Sequence, residues 1–198
     1  MTAAGAFTPD SEIDRIFAPV VQARSYRNLL YLALSFPLGI LYFVILITGL
    51  SVGAGLAILF VGFLIIGATL WLARVFGRGE RELTKALLGA TFEPSPPVGR
   101  GWRAMLMDSR SWTTIVFLML RFPLGVLSFV VVLLFTISIP IMAAPLLYTM
   151  FPVTFVGPVE TSEEALLVSL FGCVLFLLSV HAVNGLAALS RRLAMALI

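Results

Sequence analysis

Charge is scarce in this chain. Only 12% of its 198 residues are Asp, Glu, Lys or Arg, where an ordinary soluble domain carries about a quarter. A water-soluble fold of this size would lack the polar surface to cover itself. That excludes a secreted domain, a disordered tail and almost any cytosolic enzyme. Cysteine is nearly missing too. Cys173 stands alone inside an apolar run, so no disulfide framework or cysteine-based metal site forms within one chain. Histidine occurs once, at His181, and no carboxylate falls inside a long apolar run. Most metal sites and acid–base pairs are thereby excluded. No Gly-rich phosphate loop is present either: Gly77-Arg78-Gly79 lacks the context of one. The sequence therefore assigns no catalytic, cofactor-binding or metal-ligating residue, and predicts a non-enzyme. The first 25 residues hold Asp10, Glu12, Asp14, Arg15 and Arg24 and no long apolar core, so no cleavable signal peptide is expected.

What remains is apolar. Hydrophobic residues make up 60% of the chain, and its mean hydropathy is +1.07. Four spans can be read: Leu29–Leu50 without a charge, Ala54–Phe76 with only Arg74, Thr114–Ile141 interrupted by Arg121 and Pro123, and Leu166–Ala188 with His181 and Asn184. A bilayer core of ~30 Å takes about 20 helical residues. Each span is long enough to cross once, and lipid leaves the backbone no alternative to helix. Spans one and two are separated by little more than Ser51-Val52-Gly53, which predicts an antiparallel hairpin. The Gly49-x-x-x-Gly53 spacing has the form of a helix-pairing motif, but its place between two spans favours a turn.

Arginine placement orients the helices. Arg15, Arg24 and Arg27 precede span one; Arg78, Arg81, Lys85, Arg100, Arg103 and Arg110 lie between spans two and three; Arg191 and Arg192 follow span four. The other two connections carry no Lys or Arg. The positive-inside rule places both termini and the 78–112 loop in the cytoplasm. The net charge of +3 is explained by this orientation and does not imply nucleic acid. An amphipathic stretch from Ser11, divided at Pro19, is expected to lie on the inner membrane surface.

The chain also duplicates itself. Arg24–Leu46 aligns without gaps on Arg110–Val132, with 11 of 23 positions identical and Phe36-Pro37-Leu38-Gly39 falling on Phe122-Pro123-Leu124-Gly125. The second helices match more weakly: Gly62 falls on Gly172, Arg81 on Arg191 and Leu83 on Leu193. The fold class expected is an all-α integral membrane protein of four transmembrane helices. They form two pseudo-repeated antiparallel hairpins, with both ends inside and a pseudo-twofold axis along the membrane normal. The predicted boundaries are an N-terminal interfacial segment 1–25, a first repeat 26–92, a linker 93–109 and a second repeat 110–198, each repeat ending in a cytoplasmic helix. Pro37 and Pro123 each remove one helical hydrogen bond, and Gly39 and Gly125 follow closely. These four residues are the candidate hinge, or serve packing alone.

Arg121 is the least expected residue. It lies nine positions past Trp112, roughly 13 Å at helical rise. Such a charge is costly unless it reaches water, headgroups or partners. No span supplies an acid, so either it snorkels to the inner headgroups or it joins a polar cluster between helices. Counting along each helix places His181 and Asn184 at a similar depth, with Ser35 as the repeat counterpart of Arg121 and Arg74 as that of Asn184. Arg121, His181, Asn184, Ser35 and Arg74 are therefore the candidate intramembrane polar layer. In it His181 accepts a hydrogen bond from Arg121 and Asn184 bridges helices. His181 is a hydrogen-bonding group or a proton sensor.

The runs RSYRNLLYLALSFPLGILYFVILITGLSVG, ERELTKALLG, RFPLGVLSF and HAVNGLAALSRRLA together resemble the putative sensor domain family, over roughly Ala18 to the C-terminus. That module precedes the kinase region of many bacterial and archaeal sensor histidine kinases and also occurs alone. The resemblance implies a four-helix input module of a two-component-like system in the plasma membrane of a bacterium or archaeon, with no ligand specified. No kinase region follows Leu189–Leu197 here, so the expectation is signalling through a partner protein, or a membrane piece of something longer. The expected partners are the lipid bilayer and either a second copy or a signalling protein. The competing expectations are a small oligomeric transporter or channel, and a membrane scaffold subunit.

Overall fold

A computed structural model describes residues 22–92, 109–147 and 161–198, and all regular structure among them is helical. The predicted amphipathic stretch from Ser11 and most of the 93–109 linker lie outside the described residues. Helix α1 runs Ala23–Gly55 and passes through Pro37 without a break. A single 3-10 turn, Ala57–Leu59, leads into α2, Val61–Leu88. Helix α3 covers Ser109–Met142 with Pro123 and Pro140 inside it. A short α4, Ala144–Leu147, follows, and α5 spans Ser162–Leu197. Four of these helices, α1, α2, α3 and α5, are long and apolar enough to cross a membrane.

Their ends follow from local chemistry. Phe60, with φ 57°, turns the chain between α1 and α2. Gly89 stops α2 in the left-handed region at φ 62°, where its N–H and that of Ala90 still reach the carbonyls of Lys85 and Thr84. A glycine accepts that conformation without the Cβ penalty. Thr161 opens α5 with a capping box: its hydroxyl accepts from the Glu164 N–H, and the Glu164 carboxylate accepts from the Thr161 N–H, both at 3.3 Å. The two acids of the first turn, Glu163 and Glu164, also suit the positive end of the helix.

The expected turn at Ser51-Val52-Gly53 is corrected by these bounds. All three residues are helical, and the connection falls at 56–60. The reading of Gly49 and Gly53 as turn residues is corrected with it. A Cβ at Gly49 would collide with the Thr69 side chain, and one at Gly53 would lie 2.6 Å from Ile66 Cγ1. The two glycines bring α1 and α2 into close contact, as small residues do between helices in lipid.

Helices α1 and α3 cross at the centre, with α2 packed chiefly on α1 and α5 chiefly on α3. The crossing is made by glycine. A Cβ at Gly39 would lie 2.7 Å from the Arg121 carbonyl oxygen, and one at Gly125 would lie 2.7 Å from that of Ser35. Phe36 stacks on Phe129, and Phe43 stacks on Phe122, each with ring centroids 4.6 Å apart. Buried side chains gather into two clusters, one around Tyr31, Leu32, Val183 and Leu186 and the other around Leu46, Leu70, Phe117 and Leu118. The outside is as apolar as the inside: Leu64, Leu167 and Leu178 are largely exposed. Lipid, not water, is the solvent such a surface requires.

Candidate functional site

Arg121 does not snorkel. Its side chain is 1% exposed, and its guanidinium pairs through Nη2 with Oε1 of Glu80, which is wholly buried. Glu80 stands on α2 one turn beyond Phe76, where the apolar span ends and the helix continues. Four further side chains close around the pair. The Tyr31 ring lies under the guanidinium, 4.5 Å from Cζ to centroid. Its hydroxyl donates to Glu80 Oε1 at 3.1 Å and sits 3.4 Å from the Thr84 hydroxyl. Tyr42 donates to Glu80 Oε2 at 3.5 Å. Thr84 donates to the Glu80 carbonyl at 2.7 Å, and Ser35 donates to the Tyr31 carbonyl at 2.7 Å. Three helices thus meet at one charge pair: α1 through the tyrosines, α2 through Glu80 and Thr84, α3 through Arg121.

The energetics explain the company the pair keeps. Two charges taken out of water lose several kcal/mol each, and their attraction repays this only when the remaining valences are satisfied. Both Glu80 oxygens accept from tyrosine. The tyrosine face attracts the cation. The satisfaction is incomplete: Nε of Arg121 has no hydrogen-bond partner among the described residues, and the contact of Nη2 with Glu80 is an ion pair without hydrogen-bond geometry.

Of the other four residues expected to share a polar layer with Arg121, only Ser35 is linked to its site among the described contacts, through the Tyr31 carbonyl. The expectation that Arg121 has no carboxylate to pair with is corrected by Glu80. Asn184 belongs to a second cluster, where it accepts from Asn28 Nδ2 at 2.7 Å and donates to the Ser25 hydroxyl at 3.0 Å. Arg74 donates to the Ser111 hydroxyl at 3.0 Å from Nε and 2.7 Å from Nη2. His181 is exposed on the outer side of α5, with Nδ1 2.9 Å from the Leu177 carbonyl. The expected Arg121–His181 hydrogen bond is corrected accordingly. Equal depth on two helices does not fix equal direction. The hinge candidates fall at the crossing: Gly39 and Gly125 line it, while Pro37 and Pro123 are exposed.

Glu80, Tyr31, Tyr42 and Thr84 were not singled out from the sequence. A signal for Glu80 exists in it. Leu70, Ala73, Gly77, Glu80, Thr84 and Leu88 recur at intervals of three and four, and all are buried. That stripe places Glu80 on the inward face of α2.

Comparison with family models supplies the identification. The model described as "Putative sensor" matches residues 13–198. The chain belongs to that family. No curated protein and no solved structure matches it. In this chain the buried Glu80 lies where α2 continues past its apolar span, and its pairing with Arg121 gives the site its interest.

Proposed function

We propose that this protein is a non-catalytic signal-input module of a two-component-like system in the plasma membrane of a bacterium or archaeon, acting on a partner protein. The Glu80–Arg121 pair is the observation that carries the reading. It ties the continuation of α2 to α3 just before Pro123, next to the Gly39–Gly125 crossing. A shift at the crossing is thereby passed to the end of α2, which faces the partner and moves relative to α5. A buried ion pair suits a switch, because its intact and broken states differ by several kcal/mol.

The reading includes two duplicated hairpins with both ends cytoplasmic. Paired contacts support the duplication. Phe122 lies 86 residues after Phe36, and Phe129 lies 86 after Phe43, so the two ring stacks exchange under one shift, as do Gly39 and Gly125. The bond between Arg74 and Ser111 corresponds to that between Asn184 and Ser25, with shifts of 110 and 86 residues. In the same scheme Tyr31, Glu80 and Thr84 correspond to Phe117, Ser190 and Ala194. Arg121 corresponds to Ser35, so each half gives one member of the charged pair and an uncharged residue at the matching position. This asymmetry gives the module a single switch. The arginines at the ends of the helices support the orientation.

The test places spin labels at the exposed positions Glu82 and Arg192 in a Cys173→Ser background, in nanodiscs. Glu80→Gln and Arg121→Gln should each shift the distance distribution between the two labels. Unchanged distributions in both variants, with the protein folded, would overturn the reading. Intramembrane charges also mark ion pathways, so liposome flux is measured alongside. Flux abolished by Arg121→Gln would favour the transporter instead.

A further inference from the structure

At the arginine-bearing end of the helices, a cleft of about 310 Å³ opens between the start of α1, the end of α2 and the last turns of α5. Its walls are Gln22, Arg24, Asn28, Leu88, Asn184, Ala187, Ala188 and Arg191, with two arginines and, among the described residues, no acid. Asn28 and Asn184 in this lining are hydrogen-bonded to each other, and Asn184 also donates to Ser25, which holds both amides in place. Arg191 lines the wall, and its Nε is buried without a hydrogen-bond partner among the described residues. The first turn of α1 holds no acid, and Gln22 makes no side-chain cap there. The positive helix end is therefore not neutralised from within its own turn.

We propose that this cleft binds a phosphate-bearing anion, and that the phosphodiester of an anionic phospholipid is its natural occupant. Two guanidinium groups match phosphate oxygens in charge and fork geometry. An anion there gives the Arg191 guanidinium on the cleft wall a charged acceptor. The volume sits at the small end of the range for ligand sites, about 300–1,000 Å³, fitting a headgroup with its acyl chains outside. Basic recesses between membrane helices at the inner surface hold such headgroups elsewhere. The site is separate from the Glu80–Arg121 pair, and the proposal does not rest on the signalling reading.

The test uses the whole protein in nanodiscs of phosphatidylcholine, with or without phosphatidylglycerol, and counts retained lipid by native mass spectrometry. Thermal unfolding is followed in the same discs. Phosphatidylglycerol should be retained preferentially and should raise the unfolding temperature. Arg24→Gln and Arg191→Gln should each weaken retention about tenfold, the scale of one charge-assisted hydrogen bond. Arg192→Gln removes the same charge from an exposed position outside the cleft and should leave retention intact. Arg24 is exposed, so its variant keeps the test independent of folding. In a second arm, inorganic phosphate is titrated into phosphatidylcholine discs. Stabilisation by phosphate alone, lost in the same two variants, would support the site with a free anion as its source. No response to either probe would overturn the proposal, as would equal losses in Arg192→Gln or none in Arg24→Gln and Arg191→Gln.

Discussion

Arg121 on α3 and Glu80 on α2 form an ion pair sealed from both lipid and water, and the two residues belong to different hairpins. Single substitutions should expose the cost of that arrangement. Arg121→Met leaves a buried carboxylate, and Glu80→Leu leaves a buried guanidinium. Each should destabilise the protein by about 3–5 kcal/mol. The double variant should recover most of the loss, because no uncompensated charge remains. Unfolding in mixed micelles, arranged as a double-mutant cycle, measures the coupling. Additive losses would show that the pair is not a unit.

Tyr31 contributes in two ways that substitution separates. Tyr31→Phe removes the hydroxyl that Glu80 Oε1 accepts from but keeps the ring under Arg121. Leaving a buried acceptor short should cost about 1–3 kcal/mol. Tyr31→Leu removes the ring as well and should cost up to about 2 kcal/mol more, the scale of a desolvated cation–π contact. Equal losses from the two variants would remove the ring from the account. The same micelle assay decides.

The α1–α3 crossing predicts a contrast among glycines. Gly39→Ala and Gly125→Ala each put a methyl 2.7 Å from a backbone carbonyl oxygen of the facing helix. Backbone cannot swing aside as a side chain can, so each should cost about 1–3 kcal/mol. Gly67 and Gly185 have nothing within 4 Å of an added Cβ. Alanine there should stabilise by about 0.5–1 kcal/mol through helix propensity. Proline at 37 and 123 is exposed, so the crossing depends on the glycines more than on the prolines beside them.

The four spans were legible because length and apolarity are summed over twenty residues and tolerate local error. The pairing of Arg121 was not. Depth can be counted along one helix from its own flank, but the partner of a side chain depends on how two helices turn and cross. Counting put His181 level with Arg121, whereas the facing direction of α5 belongs to Val180, Val183, Leu186 and Ala187. An apolar window ends before Glu80 and gives it no weight, although the inward stripe of α2 runs through it. Asn184 bonds across to Asn28 and Ser25 on α1, which lie outside the proposed layer. A polar residue at a span margin is invisible to hydropathy and visible to periodicity.

His181 and Asn184 lie three residues apart, about 60° around the helix, and that small angle should separate their roles. His181 faces outward, and its hydrogen bond among the described residues is within its own helix. His181→Leu removes a polar ring from a lipid-facing surface, and stability should change by less than about 0.5 kcal/mol. Asn184 binds across to α1, so Asn184→Leu leaves the Asn28 amide and Ser25 hydroxyl without it. That should cost about 1–3 kcal/mol. Asn28→Leu combined with Asn184→Leu should cost less than the sum of the two singles, because each already breaks the shared bond. If His181→Leu destabilises as much as Asn184→Leu, then His181 has a partner on another chain, and the outward face of α5 is a contact surface.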